Sequence, residues 1–135
     1  MKYIASLIVM LAAVQAHLHL DFPTPRVDDE VGQNVGPCGD GANTPGVRAV
    51  VTDGKLKLKL AVGDSETFVT VNVGAGSNPE TFPTELFSDF FAQPAWHEIP
   101  LDFNSIGLTN SDATVQIIAD TDHGKHYICA DLKIN

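Results

Sequence analysis

A histidine at position 17 becomes a metal chelate if it is the first residue of the mature chain. The free α-amine and the imidazole of an N-terminal histidine place two nitrogen donors on one residue. Their ordinary pKa values are about 8 and about 6.5, so both groups can be neutral donors near neutral pH. Such nitrogens suit Cu(II), which heads the affinity order of the divalent first-row metals. The sequence therefore predicts one Cu(II) ion at His17, provided that the chain is cut after Ala16.

The start of the chain has the features of a secretory signal peptide. It has a single lysine, an apolar run from Ile4 to Val14, and a small-residue ending at Ala16. The run is shorter than the roughly 20 residues that cross a bilayer, so an uncleaved N-terminal anchor is the less favoured alternative. We expect residues 1–16 to be removed and residues 17–135 to form one secreted, extracellular domain.

The mature domain is predicted to be strongly acidic. The whole chain has 8 Lys and Arg against 17 Asp and Glu, a net charge of −9 with His neutral. Loss of Lys2 with the leader leaves 7 against 17, or −10. This charge repels phosphate backbones, so we do not expect nucleic acid as a partner. We expect a soluble monomer that attracts cations and has no transmembrane segment.

The chain has two cysteines, Cys38 and Cys129. In a secreted chain an even number of cysteines indicates a disulfide. The two positions are 91 residues apart, and in the chain-entropy model a loop of this size contributes about 4–5 kcal/mol of stability. The alternative, two free thiols in a soft metal site, lacks the further cysteines that such sites use.

Alternation of apolar and polar residues predicts about seven strands. The clearest is Lys55–Val62, whose sequence KLKLKLAV directs leucines to a core and lysines to water. The other strands are predicted at residues 17–22, 47–52, 67–73, 96–101, 114–119 and 126–134. We therefore expect an all-β fold, an immunoglobulin-like antiparallel β-sandwich.

Residues 78–93 do not fit this pattern, because four phenylalanines crowd into them: Phe82, Phe87, Phe90 and Phe91. We expect a short helix or an irregular aromatic loop that plugs one end of the sandwich. The alternative is an exposed aromatic platform for a polysaccharide, but large apolar side chains so close together are more often part of a core.

Five segments occur in a characteristic order. They are the leader followed by HLHLDFPTPR (17–26), SNPETF (77–82), IPLD (99–102), ATVQII (113–118) and YICADL (127–132). In this order and spacing the chain resembles the fungal copper-acquisition-factor family, which shares the fold of lytic polysaccharide monooxygenases. The resemblance implies a secreted copper-binding protein that serves copper acquisition or homeostasis and is not an enzyme. It also implies a membrane copper transporter or the cell surface as partner.

The resemblance implies three copper ligands: the N-terminal histidine, a histidine at a strand edge, and an aspartate before the last strand. The first corresponds to His17 and the third to Asp120, nine residues before Cys129. The second is not matched, because an Asp-Ser-Glu sequence occupies its place. Asp64 is our candidate for the missing ligand and Glu66 the alternative. A carboxylate in place of imidazole favours harder cations and weakens copper selectivity.

A histidine from elsewhere could replace the missing ligand instead. His97 lies on a predicted strand, and His123 and His126 lie in the polar run DTDHGKH, which is otherwise typical of a solvated turn. His19 shares a strand face with the first histidine and could reach the same region, but we expect it to support the ligands or to be a surface residue. The second cysteine pair of the family is absent, and Glu98 stands at one of its positions.

Three functions are compatible with these residues. The first is a non-catalytic, secreted Cu(II)-binding protein. The second is a degenerate relative that has lost tight metal binding and serves as an interaction module. The third is a copper-dependent polysaccharide monooxygenase, against which the missing second histidine counts. The chain has no Gly-x-Ser-x-Gly, His-Glu-x-x-His or phosphate-loop motif, so other common catalytic sites are not indicated.

Overall fold

A computed structural model describes residues 18–28 and 30–135 of the protein, which form two packed β-sheets. The predicted leader and His17 lie outside these residues. Two single-turn 3-10 helices, Glu30–Gly32 and Phe103–Ile106, accompany the strands. In chain order the strands are β1 (Leu18–Phe22), β2 (Arg48–Val51), β3 (Lys55–Val62), β4 (Thr67–Ala75), β5 (Thr84–Phe91), β6 (Ala95–Asp102), β7 (Ser111–Thr121) and β8 (Gly124–Ile134).

One sheet has the strand order β1-β3-β6 and the other the order β2-β8-β7-β4-β5. The predicted all-β sandwich is confirmed. Its strands are antiparallel except for β2, which runs parallel to β8. A parallel pair needs a long connection between its strands, and here residues 52–123, which contain β3 to β7, separate β2 from β8. Over the described part of the chain, no helix has the length and apolarity to cross a membrane.

The core lies between the two sheets and is built from alternate residues of each strand. On β3, Leu56, Leu58 and Leu60 are buried, whereas the lysines between them are exposed. The opposite sheet contributes alternate residues of β4, β7 and β8, among them Val69 and Ile117. This alternation is that of a half-buried strand, and it fixes which face each later side chain occupies.

Most of the aromatic segment forms the strand β5, with Phe82 in the irregular chain before it, so the expected helix or irregular loop is wrong for residues 84–91. Phe87 and Phe91 pack against the core, Phe82 packs near the disulfide, and Phe90 is 53% exposed. The β4–β5 register shifts between Val71 and Asn72, so alternation breaks within β5. A β-bulge of this kind removes the regular period of two by which a strand is recognised in sequence.

The segment of residues 23–47 is fastened over the outer face of the five-stranded sheet. The predicted disulfide between Cys38 and Cys129 is confirmed, with a Cα–Cα distance of 5.0 Å. Arg26 forms a buried ion pair with Asp131, and its Nη2 lies 2.8 Å from Oδ1 of that carboxylate. The segment is therefore attached to β8, the strand that contains Cys129 and Asp131.

Candidate metal centre

The strand ends that carry the predicted ligands meet at one end of the sandwich. Leu18 at the start of β1 pairs with Val62 at the end of β3. The chain then turns into β4, where Phe68 pairs with Asp120 near the end of β7. The start of β1, the β3–β4 turn and the β7–β8 hairpin thus lie together. Leu18 directly follows His17 in the sequence.

Asp64 and Glu66 lie in the turn that connects the two sheets. The hydroxyl of Thr67 donates a hydrogen bond of 2.9 Å to the backbone oxygen of Asp64, whose side chain is half-buried. The backbone N–H of Glu66 donates to the backbone oxygen of Ala92 at 3.0 Å. Glu66 is exposed and has a φ of 51°, so a tight turn holds it. Both residues have a hydrogen-bonded backbone, and Asp64 is the less exposed of the two.

Asp120 lies on the outer, solvent-facing side of the five-stranded sheet. Its neighbours in register are Phe68 on β4 and Lys125 on β8, and all three are exposed. Phe68 pairs in turn with Phe90, and these rings are 45% and 53% exposed. The carboxylate is therefore accessible from solvent beside an exposed pair of aromatic rings.

The histidines near the β7–β8 hairpin do not gather around Asp120. His126 pairs with Ala119 and is buried, which places it on the inner face of the sheet. Asp120 directly follows Ala119 on β7, so its side chain is on the outer face. His123 is exposed in the hairpin turn, where its backbone N–H donates to the hydroxyl of Thr121 at 3.0 Å. The two histidines thus face different surroundings.

His97 on β6 contacts β5 of the opposite sheet. Its ring stacks on Phe91 with a centroid distance of 3.8 Å, and its Nε2 is buried without a hydrogen-bond partner within the described chain. Burial lowers the pKa of His97, and the negative charge of Asp89 opposes this effect only in part. The ring faces inward from β6, whereas Asp120 faces outward from the other sheet.

His19 lies on the outer face of the three-stranded sheet. Its ring meets Trp96 edge-on, with centroids 5.8 Å apart, and its Nδ1 is 3.4 Å from a carboxylate oxygen of Asp28. Glu98 is exposed opposite Lys59 on the same face. These contacts are those of surface residues.

Gln33 is the residue of this region that sequence reasoning misses. It is 2% exposed, and its side-chain amide bonds to both backbone groups of Leu18. Gln33 stands in a loop rich in glycine and aspartate, where no periodic pattern marks a residue as buried.

The described part of the site supplies carboxylates and does not by itself form a metal centre. Within residues 18–28 and 30–135, no three His, Cys, Asp or Glu side chains are grouped to hold a metal ion. Asp64 and Asp120 lie at the end of the sandwich where β1 starts. Each offers a carboxylate, which is a hard oxygen ligand.

Comparison with known proteins identifies the family of the chain. The family model described as copper acquisition factor BIM1-like matches residues 15–135. The chain is also 29% identical over 144 residues to an uncharacterized protein of Aspergillus fumigatus. That match covers 97% of this chain and 58% of the relative, so the chain spans just over half of the relative's length.

Proposed function

The chain belongs to the family of BIM1-like copper acquisition factors, and on this premise we propose that it binds one Cu(II) ion as its cargo. The amine and imidazole of His17 hold the ion once residues 1–16 have been removed. The observation that carries the proposal is the family match, which extends over the whole sandwich.

The position of the carboxylates supports this site. Asp120 is exposed at the end of β7, and the half-buried Asp64 belongs to the turn that follows the strand paired with β1. We propose Asp120 as the third ligand and Asp64 as a fourth, with open positions for water. Because carboxylates are hard ligands, such a site binds Cu(II) less tightly than a site with two histidines. Harder divalent metals compete better there.

We further propose that the protein is secreted and acts as a monomeric carrier without turnover. The Cys38–Cys129 disulfide supports an oxidising compartment, where such bonds persist. The family description names copper acquisition and not a reaction. A carrier of this kind passes its ion to a membrane copper transporter or another acceptor at the cell surface. With copper and a reductant, we expect it to release no oxidised sugars from insoluble polysaccharides.

The test is a Cu(II) titration of protein whose first residue is verified as His17, with the electron paramagnetic resonance spectrum recorded at each step. We expect one equivalent to bind with nitrogen and oxygen donors. One glycine added before His17 converts the amine into an amide and should abolish tight binding. Asp120→Asn should weaken binding, whereas the matched control Asp122→Asn, in the neighbouring hairpin turn, should not.

Two results would contradict this assignment. If the extended protein binds copper as well as the mature protein does, the ligands lie elsewhere and the N-terminal chelate is wrong. If Asp120→Asn and Asp122→Asn behave alike, Asp120 is not a ligand.

A second candidate function is an interaction module without copper. The observation that favours it is the exposed pair Phe68 and Phe90, because adjacent exposed rings are typical of protein contacts. This function replaces the first if no form of the protein binds copper.

A further inference from the structure

Gln33 forms a two-point clamp on the backbone of Leu18. Its Oε1 accepts a hydrogen bond of 3.1 Å from the Leu18 N–H, and its Nε2 donates one of 2.7 Å to the Leu18 carbonyl oxygen. Both partners are buried: Leu18 is 0% exposed and Gln33 is 2% exposed. The clamp acts on the residue that directly follows His17.

The position of β1 explains why the clamp is needed. β1 is an edge strand, so alternate residues have backbone groups that face away from β3. Leu18 is such a residue, and its environment excludes water. Each of its backbone groups would be destabilising if left without a partner there. A glutamine amide offers one acceptor and a donor, as a peptide group does, so the side chain replaces a neighbouring strand.

Gln33 is itself fixed to the other sheet. Its backbone oxygen accepts a hydrogen bond of 2.7 Å from the N–H of Tyr127 on β8. Tyr127 pairs with Ile118, which precedes Asp120 by two residues on β7. Gln33 thus links the start of β1 to β8, which pairs with β7, the strand that carries Asp120.

We propose that Gln33 is a positioning residue of the copper site. It fixes the backbone N–H and carbonyl oxygen of Leu18, and that N–H belongs to the peptide group that joins Leu18 to the proposed chelating residue. The inference rests on the proposed function, because it needs copper bound at His17. A site assembled from two sheets depends on such a link, since a displacement of about 1 Å spoils the convergence of ligands.

The experiment compares Gln33→Met with Gln116→Met in protein that begins at His17. Methionine keeps the volume and the burial but makes no amide hydrogen bonds. Gln116 is a matched control, because it is also buried and also bonds the same loop, at the Pro37 carbonyl oxygen (3.0 Å). Three quantities are measured for each protein: the Cu(II) affinity, the electron paramagnetic resonance parameters, and hydrogen exchange at the Leu18 amide.

We expect Gln33→Met to lower Cu(II) affinity by about 10- to 100-fold, as is typical for partners that orient a metal ligand. Its spectrum should differ from that of the unmodified protein, and exchange at the Leu18 amide should be faster. Gln116→Met should retain the affinity and the spectrum. A purely structural role would lower stability and leave the spectrum of the copper-bound protein unchanged.

The outcomes separate this inference from the function on which it rests. If the unmodified protein binds copper and Gln33→Met binds it equally well with the same spectrum, the positioning role is wrong and copper binding stands. If the unmodified protein binds no copper, both fall. If Gln33→Met fails to fold, the same three quantities are measured for Gln33→Glu. This variant keeps the acceptor for the Leu18 N–H and loses the donor to the Leu18 carbonyl oxygen.

Discussion

The buried ion pair between Arg26 and Asp131 gives the sharpest prediction about stability. Their side chains are 3% and 1% exposed. The carboxylate also accepts hydrogen bonds of 2.7 Å from the Thr114 hydroxyl and 2.7 Å from the Gly46 N–H. Asp131→Asn keeps the size of the side chain but leaves the guanidinium charge buried without a counter-ion.

The expected loss is large because a buried charge without its partner is costly. Breaking a buried ion pair on one side typically costs about 3–5 kcal/mol. Native domains are stable by only about 5–15 kcal/mol, so Asp131→Asn should remove a large part of the total. For a domain of this size the melting temperature should fall by about 12–20 °C. Urea unfolding with the disulfide intact measures the free energy directly.

The pH dependence provides a second readout of the same pair. Burial alone would raise the pKa of Asp131, but hydrogen bonds from Arg26, Thr114 and Gly46 and the charge of Arg26 hold it below the ordinary value of 3.8. The folded-state pKa is therefore lower than the unfolded one. The stability that this difference provides is complete above the unfolded pKa and is lost as the pH falls through the folded pKa. The gap between the unmodified protein and Asp131→Asn should therefore narrow at acid pH.

Asp112→Asn is the matched control for this prediction. Asp112 pairs with Arg48 at 3.6 Å, but both side chains are partly exposed. Exposed pairs contribute about 0–1 kcal/mol, so this variant should unfold nearly as the unmodified protein does. The reasoning is refuted if Asp131→Asn costs no more than Asp112→Asn at neutral pH, or if its cost is the same at pH 3.

Three further predictions concern stability. His97→Phe removes a buried nitrogen that lacks a partner in the described chain, so it should raise the free energy of unfolding by about 1 kcal/mol at pH 7. The folded-state pKa of His97 lies below 6.5, so protonation of this residue favours the unfolded state as the pH falls. His97→Phe should therefore reduce the loss of stability below pH 6.5, as acid titration would show. Replacing Cys38 and Cys129 by alanine should cost about 4–5 kcal/mol in urea unfolding; a cost under 1 kcal/mol would contradict this. Gly54→Ala should cost about 1–2 kcal/mol in thermal unfolding, because φ is 72° and the new Cβ meets the Asn104 side chain; no change would contradict it.

Most strands could be predicted because their apolar residues alternate. The prediction for β3 agrees with the structure at both ends, and those for β4, β6, β7 and β8 are short by a few residues at one or both ends. The exception, β5, shows the limit of the method. Its register shift leaves the neighbours Leu86 and Phe87 both half-buried, which no pattern of period two describes.

The face of the sheet that each ligand candidate occupies was harder to predict than the strands themselves. Asp120 and His126 are six residues apart in one polar run, yet they lie on opposite faces of the sheet. The reason is that a two-residue turn fixes the register of the β7–β8 hairpin, and one step along a strand reverses the face. The contacts of Gln33 and Arg26 escape prediction for another reason. Both residues stand in an irregular segment whose partners are distant in sequence.

These contacts hold the start of an edge strand in place. An edge strand ordinarily loses order at its first residue, because half of its backbone groups lack a partner there. Here Gln33 supplies that partner for Leu18, and the disulfide and Arg26 hold the rest of the segment on β8. A loop outside the core therefore fixes the first described residue of β1. If copper binds at the N-terminus as we propose, its affinity should therefore depend on the contacts of this loop.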